Sequence, residues 1–272
     1  MIDSYKYKSL VQYIKKLGKV CIAFSGGVDS TFLLKVAKET LNDCTIAVTI
    51  KSPYIPAAEV EEAKMIARNL GIKHYILESE IIEDIKLNPK NRCYICKKNI
   101  FQKIIDLAKE KGIENILDGS NLDDTKDYRP GIRALEELNI RSPLKELSIT
   151  KEEIRYFSKK LQLNTWDKPS YACLLSRLPY DINIDIDELK KIEKGENYLH
   201  NIGFKGARIR SYKDMARIEV DKKDIRRFLS EELTEDIVSK LKTIGYKYIT
   251  LDLEGYRMGS MNEGIEEGIR NE

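Results

Sequence analysis

Three groups of residues in this 272-residue chain could do chemistry. The first is Ser25-Gly26-Gly27-Val28-Asp29-Ser30. Its two glycines clear side chains from the backbone, so an anion could reach the N–H groups, and Ser25 and Ser30 add hydroxyl donors. Asp29 places a carboxylate where it could hold Mg2+ against phosphate oxygens. The second group is Cys93, Cys96 and Cys173. Cys93 and Cys96 stand three apart at an expected helix start beside Arg92, Lys97 and Lys98, where the helix dipole and the cations favour metal-binding thiolates. The third is Arg208 and Arg210, two apart on an expected strand and therefore on one face. Arg177, after the Cys173 loop, is spaced to reach the same cleft. Paired guanidinium groups bind phosphate or carboxylate dianions in bidentate fashion. The competing reading of the arginines is a solvated strand face with acidic partners such as Glu219.

The cysteines leave two readings open. Structural zinc wants a fourth Cys or His, and neither histidine, His74 or His200, has a spacing that brings it in. Three thiolates suit a [4Fe-4S] cluster with one iron open, which could carry sulfide. The plainer alternative is three separate thiols. Cys21 and Cys44, in or beside strands, read as small buried apolar residues.

Each group needs an element to position it. Lys19–Phe24 reads as a buried parallel strand and Thr31–Leu41 as an amphipathic helix, so the Ser-Gly-Gly segment is a strand-to-helix turn facing a helix N-terminus, where phosphate binds. A leading helix over 5–17 precedes it. Strands over 45–50 and 74–78, the helix over 59–70, a helix from Lys97 to Lys111 after the Cys93–Cys96 turn, and a strand over 115–118 continue the alternation that gives right-handed crossovers and a parallel sheet. A short helix opens at 128–131, and 140–144 reads as a fifth strand or its loop. Thr150 and Glu153 form a capping box for a helix reaching about Leu161. Beyond Pro179 the pattern changes: a helix over 187–200, strands over 207–212 and 216–220, helices over 221–229 and 234–244, and a strand over 247–253. The strand with Arg208 and Arg210 alternates as a half-buried strand does.

These elements predict an α/β chain: a doubly wound parallel sheet in residues 1–180, a smaller α+β domain over 181–263, and a fraying tail over 264–272. Forty-seven basic and 44 acidic residues leave a net charge of +3, too small to suggest a nucleic-acid protein. No apolar run approaches a membrane span and no signal-like apolar core follows Met1, so the expectation is a cytoplasmic protein. An odd cysteine count argues against a disulfide framework.

The first group is neither a Walker loop nor a dinucleotide turn. Ser-Gly-Gly-x-Asp-Ser resembles the pyrophosphate loop (PP-loop) of the ATP pyrophosphatases. Taken with Asn88-Pro89-x-x-Arg92-Cys93-Tyr94-x-Cys96-Lys97, Asp118-Gly119-Ser120-Asn121-x-Asp123-Asp124-x-x-Asp127-Tyr128-Arg129-Pro130-Gly131, Arg141-Ser142-Pro143-Leu144, Lys168-Pro169-Ser170-x-Ala172-Cys173-Leu174-x-Ser176-Arg177 and Gly255-Tyr256-Arg257-x-Gly259-Ser260-x-Asn262-Glu263, the chain resembles the LarE family of ATP-dependent sulfurtransferases from residue 23 to 263. That resemblance implies adenylation of the carboxylates of pyridinium-3,5-biscarboxylic acid mononucleotide and their conversion to thiocarboxylates, for a nickel-pincer nucleotide cofactor used by lactate racemase. It implies ATP and Mg2+ at Ser25, Gly26, Gly27, Asp29 and Ser30, adenosine contacts at Lys51, Ser52 and Gly119, and the substrate's phosphate at Arg208 and Arg210. Ser176 and Arg177 would line the same pocket. In one subgroup the cysteine matching Cys173 gives up its own sulfur. In another, cysteines matching Cys93, Cys96 and Cys173 hold a [4Fe-4S] cluster that takes sulfide from a donor. The three cysteines place this chain with the second. The family's hexamers imply a homo-oligomer. The rival reading is a tRNA thiolation enzyme, against which stand the small net charge and the lack of a recognisable RNA-binding domain.

Overall fold

The computed structural model describes residues 2, 4–126, 130–169, 172–257 and 259–262. The tail expected over 264–272 lies outside them, as do Asp127, Tyr128, Arg129, Ser170, Tyr171 and Glu263 of the quoted stretches. By its contacts the chain divides into two compact units, residues 1–85 with 90–168, and residues 86–89 with the chain from Pro169 on. The division falls after Lys168, so the loop carrying Cys173 belongs to the second unit.

The first unit is built on four parallel strands. Helix α1 (Tyr5–Leu17) leads into β1 (Val20–Ala23), followed by α2 (Val28–Leu41), β2 (Thr45–Lys51), α3 (Ala57–Asn69), β3 (Lys73–Glu78), α4 (Arg92–Glu110) and β4 (Asn115–Leu117). The order is β3-β2-β1-β4, with Val20 beside Thr45 on one flank and Asn115 on the other. Alternate side chains of β1 enter two cores. Val20 and Ile22 pack with Leu10 and Ile14 of α1 and Phe32 and Leu33 of α2, while Cys21 packs with Ile46, Val48 and Phe101 and Ile104 of α4. Burial on both faces explains why β1 and β2 are apolar runs and not alternating ones. Successive strands are added to opposite sides of β1, so the carboxyl ends of β1 and β4 form the switch point where doubly wound sheets bind ligands.

Four expectations are corrected here. Helix α4 starts at Arg92, five residues before the expected start, so both cysteines lie inside its first turns. Residues 140–144 contribute only a single bridge, Leu117 to Arg141, because Pro143 has no N–H to donate and opens a helix instead. Helices α5 (Pro130–Glu137), α6 (Pro143–Glu146) and α7 (Lys151–Lys160) complete the unit. The Thr150–Glu153 capping box is present in both directions at the start of α7.

In the second unit, α8 (Ile186–Asn201) and α9 (Glu231–Ile244) pack on a three-stranded sheet of β5 (Arg208–Tyr212), β6 (Met215–Glu219) and β7 (Tyr248–Leu251). Strand β6 runs antiparallel to β5 and parallel to β7. The third correction is to β5, which is not half-buried: Arg208 through Ser211 are all inside. The expected helix over 221–229 is a 3-10 helix, Lys222–Leu229.

Candidate active site

The turn after β1 is closed by its own side chains. Ser25 and Ser30 hydroxyls are 3.1 Å apart, the Ser25 N–H donates to Ser30 Oγ at 3.3 Å, and Ser30 Oγ donates to the Gly27 carbonyl at 3.3 Å. Gly26 has φ 71°, left-handed backbone that disfavours a side chain, and a Cβ there would stand 3.3 Å from Ala63. Gly27 is the N-cap of α2 and provides no side-chain cap, so the helix's first N–H groups are left for a ligand. Gly119, after β4, is explained by packing: a Cβ there would lie 3.0 Å from Ser30 N. The β4 loop therefore rests directly on the start of α2.

That loop surrounds Asp29 with polar groups. Asn121 Nδ2 donates to Asp29 Oδ1 at 3.3 Å, and the Lys151 ammonium contacts Asp29 Oδ2. The Lys151 backbone N–H donates to Asp123 Oδ2 at 2.8 Å, and Asp124 Oδ2 accepts from the Asn121 N–H at 2.9 Å. Burial pushes the Asp29 carboxyl above the ordinary carboxylate range; Lys151 opposes the rise and Asp124 adds to it. A partly buried carboxylate with a second one near it favours a divalent cation. Asp118 is buried and accepts the Ser120 hydroxyl on one oxygen and the Ser142 hydroxyl on the other.

At the carboxyl end of β2, Lys51 is exposed and pairs with Glu78 at 2.8 Å. Ser52 is buried, and its Oγ has no hydrogen-bond partner among the described residues. Such an orphaned polar atom at this end of the sheet suits a ligand donor or acceptor. Lys168 was not singled out from the sequence. Its side chain is 10% exposed, and its Nζ donates to the Gly26 carbonyl at 3.1 Å and to Glu62 Oε2 at 2.7 Å. Lys151 was missed as well, because nothing in its local pattern distinguishes it from any lysine in a first helical turn.

Cys93 is exposed and Cys96 half-buried, on successive turns of α4, with Tyr54 Oη 3.2 Å from Cys96 Sγ. The i, i+3 spacing gives two thiols on one side of a helix. Cys173 belongs to the other unit. Among the described residues no group of three or more His, Cys, Asp or Glu side chains stands ready to hold a metal ion.

Cys173 precedes a 3-10 helix, Leu174–Arg177. Its carbonyl accepts from the Ser176 N–H (3.1 Å), Ser176 Oγ (2.8 Å) and Arg177 (3.4 Å). Arg177 is 1% exposed. It pairs with both oxygens of Glu196 at 2.9 and 3.0 Å and donates to the Ala172 carbonyl at 2.9 Å and Ser176 Oγ at 2.7 Å. Burial works against its charge, but Glu196 outweighs that and holds its pKa above the usual value. Arg177 therefore fixes the backbone that carries Cys173. Glu196 also accepts from the Ile209 N–H at 2.9 Å. Its signal was legible: it is the one acidic residue on the buried stripe of α8, Leu189, Ile192, Glu196 and Leu199.

Arg208 is 2% and Arg210 5% exposed. The Arg208 guanidinium lies 5.5 Å from the Tyr256 ring centroid and donates to the Ala207 carbonyl at 3.2 Å. Arg210 donates to the Ser176 carbonyl (2.7 Å), Glu219 Oε2 (2.7 Å) and Ser260 Oγ (3.1 Å). Its Nε is buried without a hydrogen-bond partner among the described residues. Glu219 is fully buried and also takes Arg217 at 3.1 Å.

A family model for NAD synthase matches residues 4–103, the stretch that contains β1, the Ser-Gly-Gly turn and α2. An uncharacterized protein of Synechocystis is 39% identical over 96% of this chain and 98% of its own length. The pyridinium-3,5-bisthiocarboxylic acid mononucleotide synthase of Lactiplantibacillus plantarum is 34% identical over 96% of this chain and 95% of its own. The chain belongs to the LarE family of ATP-dependent sulfurtransferases. An uncharacterized protein of Methanocaldococcus jannaschii, 36% identical over 93% of this chain and 96% of its own, is similar over nearly the same span. The PP-loop family to which the chain belongs uses ATP with Mg2+. No helix among the described residues is long and apolar enough to cross a membrane.

Proposed function

We propose that this LarE-family protein adenylates the carboxylates of pyridinium-3,5-biscarboxylic acid mononucleotide and replaces AMP with sulfur, in the making of a nickel-pincer nucleotide. What carries the reading is the match to the Lactiplantibacillus synthase, which runs through both units of the chain and not through the ATP unit alone.

The residues support the chemistry. A carboxylate resists attack by sulfur because oxide would have to leave. Attack of the carboxylate on the α-phosphorus of ATP gives an acyl adenylate and pyrophosphate, and sulfur attack on the acyl carbon then expels AMP. In this reading Ser25, Gly26, Gly27 and Ser30 receive the departing pyrophosphate and Asp29 holds Mg2+, offsetting charge as it moves to the leaving group. Ser52 and Lys51 contact the adenosine. Gly119 serves that contact only indirectly, by seating the β4 loop on α2. Arg208 and Arg210 receive the substrate's phosphate, with Ser176 and Arg177 fixing the loop that carries Cys173.

We assign sulfur delivery to Cys93, Cys96 and Cys173 as ligands of a [4Fe-4S] cluster. Bound there, such a cluster supplies an iron with an open position for sulfide. The protein's own contribution is the paired thiols on α4 and the Cys173 backbone held by Arg177.

The deciding experiment measures AMP and pyrophosphate release with the pyridinium dicarboxylate present, alongside the intact mass of the protein. Catalytic thiocarboxylate formation after anaerobic reconstitution, with iron binding lost in Cys93→Ala, is the expected result. A protein mass reduced by that of hydrogen sulfide after one turnover would show that Cys173 is consumed instead. Thiolation of tRNA without reaction of the mononucleotide overturns the substrate assignment.

A further inference from the structure

After β7 the chain turns back onto the end of β6 and holds one aromatic ring in place. The Tyr256 N–H donates to the Val220 carbonyl at 2.7 Å, the Gly255 N–H donates to the Asp252 carbonyl at 3.1 Å, and Arg257 pairs with Asp252 and Glu254. Gly255 has φ 73°, and a Cβ on it would stand 2.7 Å from the Val220 oxygen, so this close approach needs glycine. Backbone contacts thus fix the position from which the Tyr256 ring projects.

The ring lies over Arg208, with 5.5 Å from guanidinium to centroid. Arg208 is 2% exposed and Tyr256 41% exposed, so the guanidinium is the inner layer and the ring the outer one. A ligand that reaches Arg208 comes alongside Tyr256. Against the effect of burial, the Arg177 pKa is raised by Glu196 and further by Cys173 and Tyr256. Tyr256 therefore neighbours the Cys173 loop as well as Arg208.

An aromatic face carries negative potential and attracts cations. A pyridinium nitrogen bonded to ribose is a cation at every pH, and its charge is spread over a flat ring that can stack on another. In such a mononucleotide the ribose joins ring to phosphate, so a phosphate on Arg208 brings the pyridinium to Tyr256. The phosphate also offsets the Arg208 charge, which would otherwise repel a second cation across the tyrosine. The two ends of the ligand thus support each other.

We propose that Tyr256 binds the substrate's cationic heteroaromatic ring on the face turned away from Arg208, so that the charge of that ring is selected along with its shape. The proposal rests on the reading of Arg208 as the partner of the substrate's phosphate.

Three probes separate ring from phosphate: the pyridinium dicarboxylate mononucleotide, its dihydro form, which has lost the ring charge, and ribose 5-phosphate, which has no such ring. Calorimetry on the wild type should show the pyridinium form bound about tenfold more tightly than the dihydro form. In Tyr256→Leu that preference disappears while ribose 5-phosphate binds as before. Tyr256→Met serves if the leucine variant folds poorly, and Tyr256→Phe, which keeps the ring, keeps the preference. A tyrosine that merely packs over Arg208 would, when replaced, weaken ribose 5-phosphate as much as the mononucleotide. That result, or a preference that survives in both aliphatic variants, overturns the proposal. If the wild type binds ribose 5-phosphate and does not distinguish the two rings, the proposal fails and the phosphate reading of Arg208 stands. If it binds none of the three probes, that reading fails first and takes the proposal with it.

Discussion

Lys168 Nζ lies 3.1 Å from the carbonyl oxygen of Gly26, the residue whose left-handed backbone lets the phosphate turn form. The same ammonium reaches Glu62 on α3, and Arg155 of α7 donates to the Lys168 carbonyl at 2.9 Å. Lys168 thus ties the end of the first unit to the Ser25–Ser30 turn, the proposed seat of the ATP phosphates. Replacing it with alanine removes a mostly buried cation from that turn. The KM for ATP should rise about tenfold. Because Glu62 is 39% exposed, the lost pair should cost about 1 kcal/mol or less in urea unfolding. An unchanged KM would mean that Lys168 only secures the linker.

The Arg177–Glu196 pair is the deepest bidentate ion pair among the described residues, with side chains 1% and 5% exposed. Removing one partner from such a pair leaves a buried, uncompensated charge. Glu196→Ala should therefore destabilise the protein by about 3–5 kcal/mol. Glu196→Gln keeps an acceptor for Arg177 and for the Ile209 N–H and should cost less. Chemical denaturation of the two variants checks the order. If the alanine variant is the more stable, Arg177 is not held by charge.

How much of this was legible follows from how local each cause is. Strand β1, the Ser-Gly-Gly turn and α2 were readable because an apolar run, two glycines and helical spacing follow one another without interruption along the chain. The Thr150–Glu153 box was readable for the same reason. The start of α4 was not: Asn91 makes no side-chain cap, and Arg92 is buried by tertiary packing. Strand β5 looked half-exposed because arginines at alternate positions imply water. Glu219 and Ser260, which satisfy Arg210 inside the second unit, come from 9 and 50 residues further on. Lys151 and Lys168 meet the turn from 122 and 142 residues away. No local pattern carries that information.

Thr49 supports the entry to the phosphate turn. Its hydroxyl donates to the Phe24 carbonyl at 2.6 Å, so its lone pair accepts from His74 Nε2 at 2.8 Å, which fixes the tautomer with the proton on Nε2. Burial, helped by Lys64, pushes the His74 pKa below its ordinary value. The unfolded chain therefore binds the proton more readily, and stability is lost as pH falls through about 6.5. Urea midpoints at mildly alkaline and mildly acidic pH should differ more for the wild type than for His74→Gln, which keeps a donor to Thr49. Parallel curves would mean that His74 titrates as it does in the unfolded chain.

The cysteines should separate by burial under alkylation. Cys21 is fully buried in β1, and burial pushes its thiol up to about 12, so almost no thiolate exists at neutral pH and no path leads a reagent to it. Cys44, expected from its place beside β2 to be buried, is exposed, as is Cys93. Iodoacetamide on the native protein, followed by peptide mass mapping, should modify Cys44 and Cys93 and leave Cys21 intact until denaturant is added. Reconstitution with iron and sulfide before alkylation should then protect Cys93, Cys96 and Cys173 together while Cys44 stays reactive. Protection of Cys93 and Cys96 without Cys173 would instead mean that the α4 pair binds metal alone, and Cys173 would remain available as the sulfur it gives up.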